Sequence, residues 1–511
     1  MKTYFIGGAA IILLLLSCNK RVELGNTLVN EGRDETAEVS LSVDFSDFDR
    51  SNLRTYPTDV AEERKHRITF DGLRIVFYSV DQVDHTQPDK VVYAFDKNIS
   101  ATRGLLSGAD LDAVKESTEA GFAFSIRGNE RIKVGDYIVY VFATLNTELK
   151  AATAIGQPFS MLRQPMNYID GEDFVKNNLV NNHYISEPIT ISKELFSDNA
   201  VNRVYTLPPA RLSAINAVVS VQWTLRVQNT EMEIIGDKLQ FYPDVQNKKY
   251  LLFPEYDESL ENTFGLKYPI DANYTGFATK SIDELSNDFF FRSKMSESGR
   301  HNSSLSQEVV SNYRAIPENT LAGSESRSNT VTRLIIRVRM IPKSLKERLT
   351  PEQLADTNLS WVNYLGTYHE AKAFVNLYNQ AKAKEVKSEK DQQLIEIADR
   401  FLENGKLPSA SLEKGYEDSE VQYYHGSYSY YALPITHFTL DQIGGTVNSG
   451  GYFGVVRNHH YKIEVKSFAG LGKTSFTYLP NDLDLLSERM ADQDQVITDM
   501  DVVTNIVEVL Y

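Results

Sequence analysis

Apolar residues in this chain recur at a spacing of two, in segment after segment, and that period restricts the fold more than any other feature. Successive side chains of a strand point to opposite faces, so apolar–polar alternation describes a strand with one face buried. Ala37-Glu-Val-Ser-Leu-Ser-Val-Asp-Phe45 places Val39, Leu41, Val43 and Phe45 on one side. Leu73-Arg-Ile-Val-Phe-Tyr-Ser-Val80, within Ile68–Val80, gives a second strand, and Tyr137-Ile-Val-Tyr-Val-Phe-Ala143 reads as a buried one. Ile215–Val227 and Val331–Ile341 are long candidates. In the latter Leu334, Ile336, Val338 and Met340 alternate with Arg333, Ile335, Arg337 and Arg339. Tyr461-Lys-Ile-Glu-Val-Lys-Ser467 alternates cleanly. The 28 Tyr and 25 Phe, beside only 2 Trp, suit extended structure. Strand follows strand without regular helical crossovers, which favours antiparallel sandwiches over a parallel sheet.

One segment changes period. Between Thr350 and Gly405 the apolar spacing becomes three and four: Phe374, Leu377 and Tyr378, then Leu394, Ile397 and Phe401. Thr350-Pro351-Glu352-Gln353 supplies an N-cap, a proline at the first helical position and the Gln of a capping box. Helices are expected over His369–Lys384 and Ser388–Leu402, with Gly405 as a stop. This is a helical insertion in a β domain, a surface excursion rather than a site of chemistry.

At 511 residues the chain exceeds one ordinary core, so two or three domains are expected. A net charge of −16 argues against nucleic acid, which is bound through clustered Lys and Arg. The first residues carry Lys2, an uncharged apolar run from Tyr4 to Leu16, and then Leu15-Leu16-Ser17-Cys18. That run is too short for a permanent membrane helix and suits a secretory signal. The sequence before the cysteine resembles a bacterial lipobox, in which the sulfur is alkylated by diacylglycerol before signal peptidase cleaves. Residues 1–17 are then the signal peptide and Cys18 the lipidation site; an ordinary signal peptide with an incidental cysteine is the alternative. Cys18 is the only cysteine, so no thiol remains for a disulfide, a zinc cluster or a nucleophile. No second apolar stretch approaches spanning length, and membrane contact is expected through lipid alone.

Several motifs that imitate chemistry do not survive their spacing. Gly472-Lys473-Thr474 resembles the end of a phosphate loop, but the first glycine would fall at Ser467. His459-His460 would point to opposite faces of a strand and lacks a third ligand. His369-Glu370 lacks the second histidine of a zinc-protease helix. Asp492, Asp494, Asp499 and Asp501 lack the glycine and terminal Glu of a calcium loop, and a solvated linker is the default. No cofactor, metal or catalytic residue is assigned.

Gly454-Val-Val-Arg-Asn-His459, Tyr461 and Gly470-Leu-Gly472, with Tyr430-Tyr431-Ala-Leu-Pro434-Ile-Thr-His437 upstream, resemble the fimbrillins of Bacteroidota, and most nearly the shaft subunit of the minor fimbriae. Ile316-Pro-Glu-Asn-Thr320 and the segment from Asn329 to Pro342 are similar to two preceding segments, and Arg211-Leu-Ser-Ala214 to the end of the first domain. The resemblance implies an all-β protein of two tandem transthyretin-like β-sandwich domains, exported as a lipoprotein and assembled on the cell surface. It implies that an arginine-specific protease cuts a loop after the first strand, and that a C-terminal strand of another subunit fills the groove so opened. Its implied partners are other fimbrial subunits, that protease, the outer membrane through the precursor's lipid, and host or bacterial surface ligands; an enzymatic role is not implied.

The polar stretch Ser46–Arg67 offers Arg50, Arg54, Arg64 and Arg67. Arg54, before Thr55-Tyr-Pro, best matches the family's cleavage position, with Arg50 the runner-up. The expected organisation is a propeptide with the first strand over 18–54, an N-terminal sandwich over 55–228, and a C-terminal sandwich over 229–511 containing the insertion near 350–405. Loss of that strand, taken as an edge strand, would leave unpaired backbone groups beside an apolar slot. The C-terminus departs from the family's pattern: Leu483–Met500 is acidic rather than Pro-rich. One strand closes the chain, with Val503, Val507, Val509 and Tyr511 on one side and Asn505 among them. It is either a short donor or the closing strand of its own sheet, which leaves shaft, tip, anchor and monomeric surface-binder roles open.

Overall fold

The computed structural model describes residues 36–44, 70–102, 105–118, 121–126, 131–143, 146–167, 183–185, 187–192, 204–207, 210–211, 215–223, 226–253, 255–277, 279–291, 313–326, 330–408, 415–445, 449–457, 459–465, 467–468, 470–475 and 505–506. Twelve strands of the first half that matter here are β1 Thr36–Asp44, β2 Phe70–Val80, β3 Pro88–Thr102, β4 Leu105–Ser107, β5 Leu111–Thr118, β6 Gly121–Ile126, β7 Arg131–Lys133, β8 Gly135–Ala143, β9 His183–Ile185, β10 Ile189–Ile191, β11 Val204–Thr206 and β12 Ala210–Arg211. They form two sheets. One runs β11-β1-β6-β5, with β12 and β7 also on β1; the other runs β9-β8-β2-β3-β4, with β10 on β8.

Between these sheets lies a core of Leu73, Ile75 and Phe77 from β2, Tyr137, Val139 and Val141 from β8, and Ile126, Ile132, Ile189 and Ile191. The period of two sends the intervening residues the other way. Val76, Tyr78, Ile138, Tyr140 and Phe142 form a second cluster on the outer face with Leu149, Leu162, Met166, Ile215, Tyr250 and Leu252. The β2–β8 pair is therefore covered on both faces, which explains the unbroken apolar run in 137–143.

The second half supplies β13 Asn216–Trp223, β14 Met232–Asp244, β15 Tyr313–Pro317, β16 Arg333–Pro342, β17 Tyr428–Pro434, β18 His460–Val465 and β19 Asn505–Ile506. Sheets β15-β13-β18-β19 and β14-β16-β17 face each other. Their common core contains Val219 and Val221, Leu239 and Phe241, Leu334, Ile336, Val338 and Met340, Tyr431 and Leu433, and Tyr461, Ile463 and Val465. Strand β13 pairs antiparallel with β15 and parallel with β18. The expected division at 228/229 thus assigns to the first domain a strand that completes the second sandwich; the β-strand period marks a strand but not its neighbours.

The arginine face of β16 is buried as well. Arg333 lies directly across from Asp244, with Nη2 2.8 Å from Oδ2 and side-chain exposures of 3% and 0%. Arg337 lies across from Gln240, donates from Nε to its Oε1 at 2.6 Å, and places its guanidinium 4.4 Å from the Tyr428 ring centre. Partners one strand away convert an apparently solvent-facing row into an interior one. In β14 the ladder is interrupted between Ile234 and Leu239, where Gly236 adopts a φ of 86°, a bulge conformation few side chains tolerate.

The insertion is not purely helical. The expected capping box of Thr350 with Gln353 forms, a second joins Ser388 with Asp391, and the helices run Pro351–Ala355, Ala371–Ala383 and Glu389–Asp399. A hairpin of Trp361–Tyr364 and Thr367–Glu370 precedes the second helix and joins Val421–Tyr424 and Tyr416–Glu417 in a four-stranded sheet. Leu365 and Gly366 carry φ of 48° and 79°, the double positive φ of a two-residue type I′ hairpin turn. A leucine in the first position conceals that turn from a sequence reading. The third helix ends with Arg400 as its C-cap, and Gly405 instead sits in a turn closed by Glu403 and Lys406. Phe374, Tyr378, Ile397 and Phe401 form the module's own core with Val421 and Tyr423.

Candidate assembly site

Strand β1 makes a ladder on both of its sides. Glu38–Ser40 run parallel to Val204–Thr206, and Val43–Asp44 run parallel to Ala210–Arg211. On the other side Leu41–Asp44 pair antiparallel with residues 126–123, and Thr36–Glu38 with residues 133–131. The edge-strand expectation is corrected by this order: β1 is interior, because two short strands from a distant part of the chain close its far side. Sequence reasoning missed β11 and β12 as neighbours. Each is only two or three residues long, too short to show a period, although Arg211 begins the stretch singled out above.

Taking β1 away would leave two strand edges about 9–10 Å apart, twice the spacing of neighbouring strands. A single replacement strand fits that width only if it runs parallel to β11 and β12 and antiparallel to β6 and β7. Below it lie Ile126 of β6, Ile132 of β7 and Leu207 beside β11, part of the buried core between the sheets. The slot would thus offer backbone donors and acceptors on two sides and an apolar floor.

Cys18, Arg50 and Arg54 lie outside the described residues, as do Val503, Val507, Val509 and Tyr511 and the acidic residues 492–501. Of the candidate donor strand, Asn505 and Ile506 are described. They pair antiparallel with Lys462 and Tyr461 of β18, at the margin of this chain's own C-terminal sandwich.

Beside β18 is a compact polar network. The Tyr461 hydroxyl accepts from the Val456 amide at 2.9 Å and hydrogen-bonds with His437 Nδ1, also at 2.9 Å. His459 Nδ1 donates to the Arg457 carbonyl at 2.8 Å, and the rings of His437 and His459 meet edge to face at 4.9 Å. Burial, followed by the proximity of His459, holds His437 well below the usual histidine range; burial likewise lowers His459. Both imidazoles are neutral packing groups, and the second histidine of the apparent pair sits in the following strand. Among the described residues, no group of three or more His, Cys, Asp or Glu is placed to hold a metal ion. The imitation phosphate loop is also spoken for: the Lys473 backbone bridges Tyr430, and its amine lies 2.8 Å from Glu417.

Residues 422–503 match a family model described as major fimbrial subunit protein type IV, fimbrillin, C-terminal. No curated protein sequence matches the chain. Among solved structures, a fimbrilin (fimA) from Porphyromonas gingivalis W83 is similar at 13% identity, covering 86% of this chain and 93% of that one, with a TM-score of 0.38. A candidate cell adhesion protein from Parabacteroides distasonis gives 11% identity, 86% and 94% coverage and a TM-score of 0.39. Another from Bacteroides eggerthii gives 11%, 88% and 92%, with a TM-score of 0.34.

Proposed function

We propose that this chain, which carries a fimbrillin C-terminal region over residues 422–503, is a structural subunit of a cell-surface fimbria with an adhesive role. The observation that carries the reading is the interior position of β1, a strand with a ladder on each side whose connection to β2 contains Arg50 and Arg54. Cleavage after Arg54, or after Arg50, would discard β1 together with any lipid on Cys18. A strand from another subunit, with residues 503–511 as the candidate donor, would then occupy the slot. An arginine-specific protease, sister subunits and the outer membrane that holds the lipidated precursor are the partners this cycle requires; a host or bacterial surface is the partner of the adhesive role.

The pairing of Asn505 and Ile506 with β18 favours a second reading, in which the C-terminal strand closes its own sheet. Such a subunit accepts a strand without giving one, or stays uncleaved as a lipid-held anchor or a monomeric surface binder. Determining the N-terminal residue of the protein taken from its own cell surface separates the two. Thr55 supports the cleaved subunit, and a lipidated Cys18 supports the anchor or monomer.

A further inference from the structure

Arg457 leaves the loop before β18 and meets Glu318, which follows β15. Its Nε donates to Glu318 Oε2 at 2.9 Å, its Nη2 donates to the same oxygen, and its own amide donates to Oε1 at 3.2 Å. The side chains are 10% and 1% exposed. A guanidinium presents donors along two edges, and here the other edge is committed to main chain. Nη2 donates to the Leu251 carbonyl at 2.7 Å and Nη1 to that of Leu252 at 3.3 Å.

Those two carbonyls belong to a segment whose side chains serve the other sandwich. Tyr250 and Leu252 are buried among Tyr140, Phe142, Leu162 and Met166 on the outer face of β2–β8. Lys249 and Tyr250 also pair with Asn167 and Met166 in a short antiparallel bridge, and Asn146 Nδ2 donates to the Tyr250 hydroxyl at 3.3 Å. Phe253 sets its ring 5.7 Å from Tyr140 and 5.3 Å from Phe159. Residues 249–253 are thus fixed to the first sandwich by rings, while the buried Arg457 cation ties two of their carbonyls to the second and Lys249 pairs with Asp288.

We propose that Arg457, positioned by Glu318, is a latch that fixes the angle between the two sandwiches. Domains of one chain move relative to each other unless their interface is large and apolar; here the apolar cluster is completed by a charged clamp on the segment entering it. Two carbonyls deprived of their donors would let the 249–253 segment shift, and the first sandwich would shift with it. The use of such rigidity in a filament rests on the fimbrial reading, whereas the fixed angle is a property of the single chain.

The test is a distance distribution between spin labels on the full chain. Val83 and Val386 are 94% and 87% exposed, one on each side of the latch, and Cys18 is the only native cysteine. With Cys18→Ser, Val83→Cys and Val386→Cys, a single narrow distance is expected. Adding Arg457→Met with Glu318→Met removes the clamp without stranding a charge; two carbonyls lose their donors, so the tryptophan-detected unfolding midpoint should fall while a cooperative transition is kept, and the distribution should at least double in width. A broad distribution in the parent, or a narrow one in the double variant, overturns the latch. Should the double variant fail to fold, Tyr250→Ala with Phe253→Ala cuts the opposite attachment and leaves the ion pair intact; a distribution that stays narrow there also overturns it. No arm depends on filament formation, so failure of the fimbrial reading leaves this result interpretable.

Discussion

In the first sandwich the central strand β1 is the earliest described segment, and residues 45–69 separate it from β2. In the second, the equally central β13 and β16 are deeply embedded in the order of the chain, and charges are buried beside them. Arg333 and Asp244 are almost fully enclosed, and so are Arg457 and Glu318. The described part of the first sandwich offers a milder counterpart: Arg74 lies 2.5 Å from Asp96, whose side chain is 40% exposed. Backbone ladders and apolar floors accept any strand of suitable pattern, whereas a buried ion pair accepts only its own partner. The first sandwich therefore holds its central strand by ladders and apolar contacts, whereas the second adds buried ion pairs to its framework.

The largest effect that would sharpen this contrast comes from a chain starting at Thr55. Losing the ladders on both sides of β1 should cost the monomeric first sandwich on the order of 5–10 kcal/mol, at roughly 1 kcal/mol per hydrogen bond. Hydrogen exchange should then show β6 and β7 opening while β13, β16 and β18 stay protected. Equal protection in both halves would break the comparison. Next in size, Arg333→Leu strands the buried Asp244 and should lower stability by about 3–5 kcal/mol in denaturant titrations. Arg74→Leu should cost less, about 1–2 kcal/mol, chiefly because the Thr153 carbonyl loses a donor while Asp96 keeps water and Lys150. If the two substitutions cost the same, buried charge is not what distinguishes the sandwiches.

A smaller effect follows from pH. His437 and His459 are held neutral in the fold, while in the unfolded chain they take up protons near the ordinary histidine value of about 6.5. Their contribution is therefore present above that value and lost as pH falls through it, by up to about 1.4 kcal/mol per histidine per pH unit. Asp271 works in the opposite sense. Burial pushes its carboxyl up to about 8, so its contribution is present at low pH and lost as pH rises from 4 towards 8. Midpoints followed through Trp223 and Trp361 between pH 5 and 7 should fall on the acid side in the parent. In a His437→Phe variant the fall should be shallower, and an unchanged slope would count against the histidines. The smallest change expected is Thr350→Ala, which removes a capping box on an exposed helix and should cost about 1 kcal/mol.

Local features of the fold were legible in the sequence and non-local ones were not. The alternation in 37–45, 73–80, 331–341 and 461–467 marks strands found at 36–44, 70–80, 333–342 and 460–465. The capping box of Thr350 and Gln353 lies where a helix begins, since a cap is decided within four residues. The same period could not say that β1 lies inside its sheet, because β11 and β12 arrive from more than 150 residues away. Nor could it show that the arginine row of β16 is interior, which depends on Asp244, Gln240 and Tyr428 on flanking strands. The hairpin at 361–370 was hidden by the leucine at its turn, which periodicity treats as one more apolar residue.

Trp361 pairs in register with Tyr424, and their rings stack at 4.2 Å. The indole nitrogen also donates to the Met340 carbonyl at 2.9 Å, tying the pair to the end of β16. The chain therefore leaves the sandwich and returns to it at one point, across a gap of about 5 Å. Residues 362–423 thus carry a core of their own, Phe374, Tyr378, Ile397 and Phe401 with Val421 and Tyr423, held out from the sandwich on that stacked pair.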